Sequence, residues 1–133
     1  MDTIRLLSPA GLVQSPAFSH VAVVPPGATT IHVGGQNGVD ASGVVVGDDV
    51  VSQTRQALAN LRTALEAAGA TLADVVSWSI LVEDGVDLAA GAAVAGEVLD
   101  PHRPPPLITV ARVSGLGPPG AVVEISAVAA VVR

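Results

Sequence analysis

Two stretches of the sequence combine residue types that could carry out chemistry. Glu124 stands in an apolar run, Val122-Val123-Glu124-Ile125, where an unpaired carboxylate is costly to bury. A carboxylate lining a cleft can act as a general acid or base, although a solvent-facing acid on an edge strand explains Glu124 equally well. Gly34-Gly35-Gln36 ends a β-prone run and would expose backbone N–H and C=O groups to an approaching molecule, but such glycines most often form a turn.

The other candidate motifs are weaker. His20, His32 and His102 are the only imidazoles, and none has the spacing of a metal pair, so the sequence predicts no metal site. Gly115-Leu116-Gly117-Pro118-Pro119-Gly120 matches the dinucleotide pattern G-x-G-x-x-G by letter. Its prolines remove N–H donors and a β-prone run follows it, so we interpret it as a loop and predict no bound cofactor.

Composition excludes several classes of function. The chain has no cysteine, and all six basic residues are arginine, which rules out disulfides, thiolate nucleophiles and Schiff-base lysines. A net charge of -6 and only two aromatic residues argue against a nucleic-acid partner. No apolar run reaches the ~18 residues of a membrane helix, and the amino terminus does not resemble a signal peptide, so we expect a cytoplasmic protein. The high apolar content favours a core plus a subunit interface.

The pattern of apolar residues predicts how these groups are positioned. Asp48 and Asp49 could cap a helix that ends at Gly69. Asn37-Gly38 predicts a turn with positive φ, and Thr71–Asp74 has capping-box spacing. The residues that should form one buried face of the first helix repeat at three-and-four spacing: Val51, Thr54, Leu58, Leu61, Leu65 and Ala68.

Strands and a second helix complete the prediction. The second helix should span Asp87–Leu99 and stop at Pro101. One strand should bury Val76, Trp78, Ile80 and Val82 and follow the first helix through a crossover. The remaining β-prone runs are Thr3–Leu7, His20–Val24, Thr29–Val33, Leu107–Val113 and Ala121–Val132, with 43–47 as a short strand or loop. The order is roughly βββαβαββ in a single domain, residues 1–133.

The order of these pieces resembles the Rid (YjgF-like) reactive-intermediate deaminase family along nearly the whole chain. Phe18-Ser19-His20-Val21 and Val33-Gly34-Gly35-Gln36 resemble two of its motifs. The helix segment 53–61, QTRQALANL, continuing to LEAAGA at 65–70, resembles its Q-T-x-x-x-L-x-N-L…L-x-A-A-G-A, which is the most specific part of the match. Asp74-Val75-Val76 and Val123–Ala127 resemble the family's D-V-V and V-E-I-x-A.

The resemblance implies an α+β subunit with the chorismate-mutase-like fold, a mixed sheet packed on two helices. Three such subunits would close a barrel with ligand clefts between neighbours. It implies hydrolysis of 2-imino or enamine acids to 2-keto acids and ammonia without a cofactor. By position, Phe18 matches the family's aromatic residue and Gly35 its turn glycine. Leu107 matches the residue whose main chain contacts the substrate. Glu124 matches the glutamate that helps to position the attacking water or to transfer protons near it.

The substrate-binding arginine of the family does not carry over, because its position is occupied by Pro105. Arg103 is the candidate substrate-binding residue in its place, since it lies two residues earlier on the same strand face, but it is ~6.5 Å away along an extended backbone. Gly34 and Ala92 also stand where the family usually has serine and asparagine. A trimeric protein that binds a small ligand without deaminating it is therefore an alternative. An endoribonuclease or translation-inhibitor role is disfavoured by the acidic, aromatic-poor composition.

Overall fold

The computed structural model describes residues 3–133, which form six strands and two α-helices in the predicted order βββαβαββ. Met1 and Asp2 lie outside the described residues. Part of the expectation of no signal peptide rests on these two residues. A single 3-10 turn, Leu72–Asp74, precedes the fourth strand. The elements are β1 (Arg5–Leu7), β2 (Val21–Val23), β3 (Thr29–Asn37), α1 (Val50–Ala67), β4 (Val75–Glu83), α2 (Leu88–Gly96), β5 (Leu107–Val113) and β6 (Val123–Val131).

Four of the strands form one mixed sheet in the order β3-β6-β4-β5. β6 is antiparallel to both of its neighbours, whereas β4 and β5 are parallel. A parallel pair needs a crossover, and α2 supplies it between these two strands. β1 and β2 pair separately as a short antiparallel ribbon.

Both helices pack on the same face of the sheet. Alternate residues of β6, including Val123 and Ile125, are almost fully buried and belong to the hydrophobic core with Leu61 and Leu65 of α1. The intervening residues Glu124, Ser126 and Val128 are only half-buried. Because side chains alternate across a strand, Glu124 lies on the face opposite the helices.

Helix α1 begins at the predicted cap. The Asp49 carboxylate accepts a hydrogen bond from the backbone N–H of Ser52, 2.8 Å away. The helix ends before Gly69, whose φ of 79° suits the left-handed C-terminal position expected of glycine.

The cap gives α1 a pH-dependent contribution to stability. Two hydrogen bonds from Ser52 hold the pKa of Asp49 below its ordinary value of 3.8. The bond from the Ser52 backbone N–H has the larger effect, and the bond from its hydroxyl has the smaller one. A carboxylate with a lowered folded-state pKa stabilises the protein above its unfolded-state pKa, and this contribution is lost as the pH falls through the folded-state pKa. We expect Asp49→Asn, which keeps a capping oxygen, to show a smaller loss of melting temperature between pH 5 and pH 2, measured by circular dichroism. An unchanged acid sensitivity would contradict this linkage.

Two local predictions were wrong. Gly38 does not have a positive φ, because β3 continues through Gly34 and Gly35 to Asn37 instead of turning. Glycine is required at position 38 by the close approach of α1: an added Cβ would lie 2.5 Å from the Cα of Gln53. Helix α2 also stops at Gly96 and not at Leu99, since glycine is a poor helix former and the chain continues in short turns.

Candidate functional site

A bulge in β3 brings two of the predicted site residues together. The pairing of β3 with β6 shifts register between Val33 and Gln36, and Gly34 and Gly35 occupy the irregularity. A Cβ on Gly35 would lie 2.5 Å from Oε2 and 2.6 Å from Cδ of Glu124. The backbone of Gly35 therefore packs directly on the Glu124 carboxylate, and glycine at this position makes room for it.

Hydrogen bonds from α1 hold this part of β3 in place. The Asn60 side-chain amide donates to the carbonyl oxygens of Asn37 at 3.1 Å and Val39 at 2.8 Å. The Asn37 side-chain amide in turn donates to the carbonyl oxygen of Val123 at 3.0 Å, next to Glu124. Helix α1 thus fixes the end of β3 and, through it, the strand segment that carries the carboxylate.

Gln53 has a structural role that the sequence reasoning missed. Its side chain is fully buried, and its amide donates to the carbonyl oxygens of Gly47 at 3.2 Å and Gly120 at 3.0 Å. Its Oε1 accepts a hydrogen bond from the Val122 N–H at 2.8 Å. The sequence feature that indicates this role is the seven-residue separation of Gln53 and Asn60. It puts two side-chain amides on the inner side of an amphipathic helix.

The carboxylate of Glu124 has no cationic partner within residues 3–133. The one ion pair in that part of the chain joins Arg55 and Glu97, at 3.1 Å and well exposed. Arg112 is engaged elsewhere, because its guanidinium donates to the carbonyl oxygen of Val86 at 3.1 Å. Within residues 3–133, the Glu124 carboxylate is therefore unpaired by any cation.

A second cluster contains Phe18 and Leu107. The Ser19 N–H donates to the carbonyl oxygen of Pro106 at 3.2 Å, which places Phe18 beside the start of β5. The rings of Phe18 and His20 meet edge to face with centroids 5.4 Å apart, and His20 Nε2 lies 2.7 Å from the carbonyl oxygen of Val13. His20 is thus a hydrogen-bonded histidine.

Arg103 lies near this second cluster but not near Glu124. It is exposed, and together with Pro105 it lines a pocket of about 190 Å³ bounded by Leu6, Leu72 and Val98. That pocket contains neither Gly35 nor Glu124. Ala92, where the family usually has asparagine, lies in a different cavity on the helix side of the sheet.

The two clusters are far apart within one subunit. Leu107 of β5 pairs with Ser77 of β4, which pairs with Val128 of β6, and Val128 is four residues from Glu124. At ~3.3 Å per residue and ~4.8 Å per strand, the clusters are roughly 13 Å apart along the strands and two strands apart across the sheet. A small metabolite cannot touch both clusters of the same subunit.

The contact between Gly35 and Glu124 makes a testable prediction. Gly35→Ala should push the Glu124 carboxylate aside with little loss of stability, because the obstructing atoms are the far end of a flexible side chain. Gly34→Ala is the matched control, since a Cβ there has nothing within 4 Å. We expect a shifted Glu124 side-chain NMR resonance and at least a tenfold loss of any Glu124-dependent activity for Gly35→Ala alone. Equal behaviour of the two variants would contradict the contact.

Residues 3–133 support neither a metal site nor a membrane-spanning helix. No cluster of three or more histidine, aspartate or glutamate side chains there could hold a metal ion. Nor is either described helix both long and apolar enough to cross a membrane.

The sequence of this chain matches the profile of a known protein family. The profile of the family described as Endoribonuclease L-PSP matches residues 12–131. A RutC family protein from Pyrococcus horikoshii is 33% identical over 101 residues, covering 74% of this chain and 77% of that protein. The 2-iminobutanoate/2-iminopropanoate deaminase of Capra hircus is 42% identical over 62 residues, which cover 46% of this chain and only 45% of that enzyme.

A solved structure extends the likeness to the whole fold. The crystal structure of a protein of unknown function from Yersinia pestis, assigned to the conserved Rid family, superimposes with a TM-score of 0.83 at 34% identity. The alignment covers 97% of this chain and 98% of that chain. Since both the family profile and the fold extend over nearly its full length, the chain belongs to the YjgF/Rid family.

Proposed function

We propose that the protein is a hydrolytic deaminase of 2-imino and enamine acids, working in clefts between the subunits of a homotrimer. The observation that carries the proposal is the packing of the Gly35 backbone against the half-buried Glu124 carboxylate. Such a pair offers main-chain groups to fix a planar imine and a proton carrier beside it. The goat relative, whose name states this activity, supports the choice of substrate class.

The chemistry requires one carboxylate and one water. Water adds to the C=N carbon of the imino acid, and Glu124 accepts a proton from that water as the C–O bond forms. That proton is returned to the nitrogen, which gives a carbinolamine. The hydroxyl proton of the carbinolamine then passes to the amino nitrogen, the C–N bond breaks as the C=O bond forms, and ammonia leaves a 2-keto acid. An enamine acid enters the same route after its tautomerisation to the imine. General acid–base assistance of this kind contributes typically ~10²–10⁴-fold.

The distance between the two clusters supports a site shared by neighbours. Within one subunit Leu107 and Glu124 are too far apart for one small substrate, so the Phe18–Leu107 cluster of one subunit would complete the Gly35–Glu124 cluster of the next. The sheet face that carries Glu124 also has half-buried Leu81 and Val128, beside a parallel strand pair. Sheets with parallel strands are usually covered on both faces, and neighbouring subunits would cover this one.

The proposal is tested by keto-acid release from an unstable imine. A pyridoxal-phosphate-dependent serine dehydratase can generate 2-aminoacrylate continuously, and the appearance of 2-keto acid can be followed with semicarbazide present to trap the imine that escapes. We expect the protein to raise the share of keto acid at the expense of the semicarbazone. If the product ratio stays at its protein-free value at every concentration, the deaminase proposal fails.

Pro105 favours one alternative, a trimer that binds a small ligand in the same cleft without deaminating it. A proline side chain cannot hold a substrate carboxylate, and Arg103 is exposed in the subunit. If Arg103 reaches the cleft of a neighbour and replaces the family arginine, Arg103→Ala will lower keto-acid release. If neither the wild-type protein nor Arg103→Ala alters release while the protein still binds 2-keto acids, the binding role is the correct one.

Restoring the arginine should strengthen the activity. Pro105→Arg adds a guanidinium able to form charge-assisted hydrogen bonds of ~1.5–3 kcal/mol with a carboxylate, so kcat/KM should rise roughly ten- to a hundredfold. Pro105→Ala separates this gain from the loss of the proline ring. Steady-state kinetics on the three proteins make the comparison, and an equal rise for both variants would show that the ring, not the missing cation, limits the wild type.

An endoribonuclease role is the least favoured function, although the matching family profile carries that description. The net charge of -6 opposes binding to phosphate backbones. Absence of binding to single-stranded RNA at both low and high salt would exclude the endoribonuclease role. Salt-dependent binding with cleavage of the RNA would instead contradict the deaminase proposal.

A further inference from the structure

One pocket of the fold combines apolar walls with charged groups. It has a volume of about 190 Å³ and lies where β1, the 3-10 turn before β4 and the end of α2 meet. Its walls come from Leu6 of β1, Leu72 of the 3-10 turn, and Val98 and Leu99 after α2. The last three also pack against the hydrophobic core, which holds them in place. The pocket therefore offers a fixed apolar surface to part of a ligand.

Charged side chains of both signs line the same pocket. Arg103 and Asp100 are exposed, and Asp74 is half-buried. The one ion pair within residues 3–133 joins Arg55 and Glu97, so the Arg103 guanidinium is paired with neither of the two carboxylates. Opposite charges beside one pocket are thus held apart, and each remains accessible to a ligand.

Local hydrogen bonds hold both carboxylates in place. Oδ2 of Asp74 accepts from the backbone N–H of Thr71 at 2.8 Å and from its hydroxyl at 3.3 Å. Oδ1 of Asp100 accepts from the backbone N–H of His102 at 2.9 Å, and the Arg103 N–H donates to the Asp100 carbonyl oxygen at 3.2 Å. These bonds use one oxygen of each carboxylate and leave the other for a ligand. The closed turn also keeps Asp100 and Arg103 on the same rim.

We propose that this pocket binds a free α-amino acid with an apolar side chain of about four carbons, such as leucine. Arg103 pairs with the ligand carboxylate, for which its guanidinium has the matching geometry. Asp100 and Asp74 accept hydrogen bonds from the ligand ammonium group, and the apolar walls contact the side chain. The volume suits this class, because a cavity of roughly 150 Å³ accommodates the six carbons of benzene.

The charges favour a zwitterion over an ion of one sign. The two carboxylates outnumber the guanidinium, so a simple anion would meet repulsion from Asp74 and Asp100. A simple cation would leave Arg103 without a partner. The pocket contains neither Gly35 nor Glu124, so binding there does not depend on the proposed deaminase activity.

Three probes that share an apolar body test the proposal. L-leucine carries both charges, 4-methylpentanoate lacks the ammonium group, and 3-methylbutan-1-amine lacks the carboxylate. We expect isothermal titration calorimetry to show each analogue binding about tenfold more weakly than leucine. The proposal is overturned if leucine does not bind, or if it binds no more tightly than either analogue.

Substitutions then assign the two charged contacts. Arg103→Gln and Asp100→Asn should each lower the affinity for leucine about tenfold. Asparagine at position 100 keeps an oxygen for the bond from the His102 N–H. The matched controls are Arg62→Gln and Asp84→Asn, which change exposed residues outside the pocket and should leave the affinity unaltered. Wild-type affinity in either pocket variant would overturn the proposal.

A variant of the other site excludes binding in the deaminase cleft. Glu124→Gln should bind leucine with wild-type affinity, because Glu124 does not line the pocket. Loss of leucine binding in that variant would place the amino acid beside Gly35 and Glu124 and overturn the proposal. Keto-acid release, measured on the same variant, reports separately on the proposed deaminase activity.

Discussion

Replacement of Glu124 by glutamine is expected to lower kcat for keto-acid release by about 10²–10⁴-fold. The amide keeps the size of the side chain and its contact with Gly35 but cannot take a proton from water. Since Glu124 is half-buried and has no ion-pair partner in residues 3–133, the melting temperature should change little. Kinetics with enzymatically generated 2-aminoacrylate measure the loss.

Glu66→Gln is the control for this substitution. Glu66 is an exposed residue of α1, on the side of the sheet opposite Glu124. Its replacement should leave kcat within a factor of about two, since a surface substitution away from a site changes little. Equal losses in the two variants would indicate a general electrostatic effect, and an unaffected Glu124→Gln protein would remove Glu124 from the chemistry.

Gly38→Ala is expected to be the most destabilising glycine-to-alanine substitution among the described residues. An added Cβ would lie 2.5 Å from Cα, 2.6 Å from Cβ and 2.7 Å from the carbonyl oxygen of Gln53, so backbone must move against backbone. Overpacking of this kind costs about 1–3 kcal/mol or more, and roughly 10 °C of melting temperature at the upper end for a domain of this size. Denaturant unfolding at one fixed protein concentration measures the cost.

Gly117→Ala is the corresponding control. Gly117 has an ordinary φ, and a Cβ there would meet nothing within 4 Å. The control should unfold within about 0.5 kcal/mol of wild type. If Gly38→Ala is equally mild, the approach of α1 to β3 is looser than the structure shows.

The elements with strong local patterns could be predicted from the sequence. Helix α1 combines a capping aspartate, a three-and-four apolar repeat and a closing glycine, each of which acts within a few residues. Glu124 was identifiable because it interrupts an alternating apolar strand, and the alternation also assigns its face. The resemblance to the family then assigned Glu124 and Gly35 to one site.

Properties that depend on distant parts of the chain could not be predicted. Gly34-Gly35 has the composition of a turn, and only pairing with β6 makes it a bulge inside β3. The need for glycine at position 38 comes from the approach of Gln53, and local turn preference gave the wrong conformation. The cavity between α2 and the sheet likewise results from how the alanine-rich α2 packs on the sheet.

We propose that two subunits complete one deaminase site, and the specific activity of keto-acid release across a dilution series tests this proposal most directly. The oligomeric mass of each sample is determined in parallel by light scattering. We expect constant specific activity while particles of three times 13.1 kDa persist, and a fall to the uncatalysed rate as they dissociate into single chains. Full activity in the monomer, or the uncatalysed rate in the intact trimer, would contradict it.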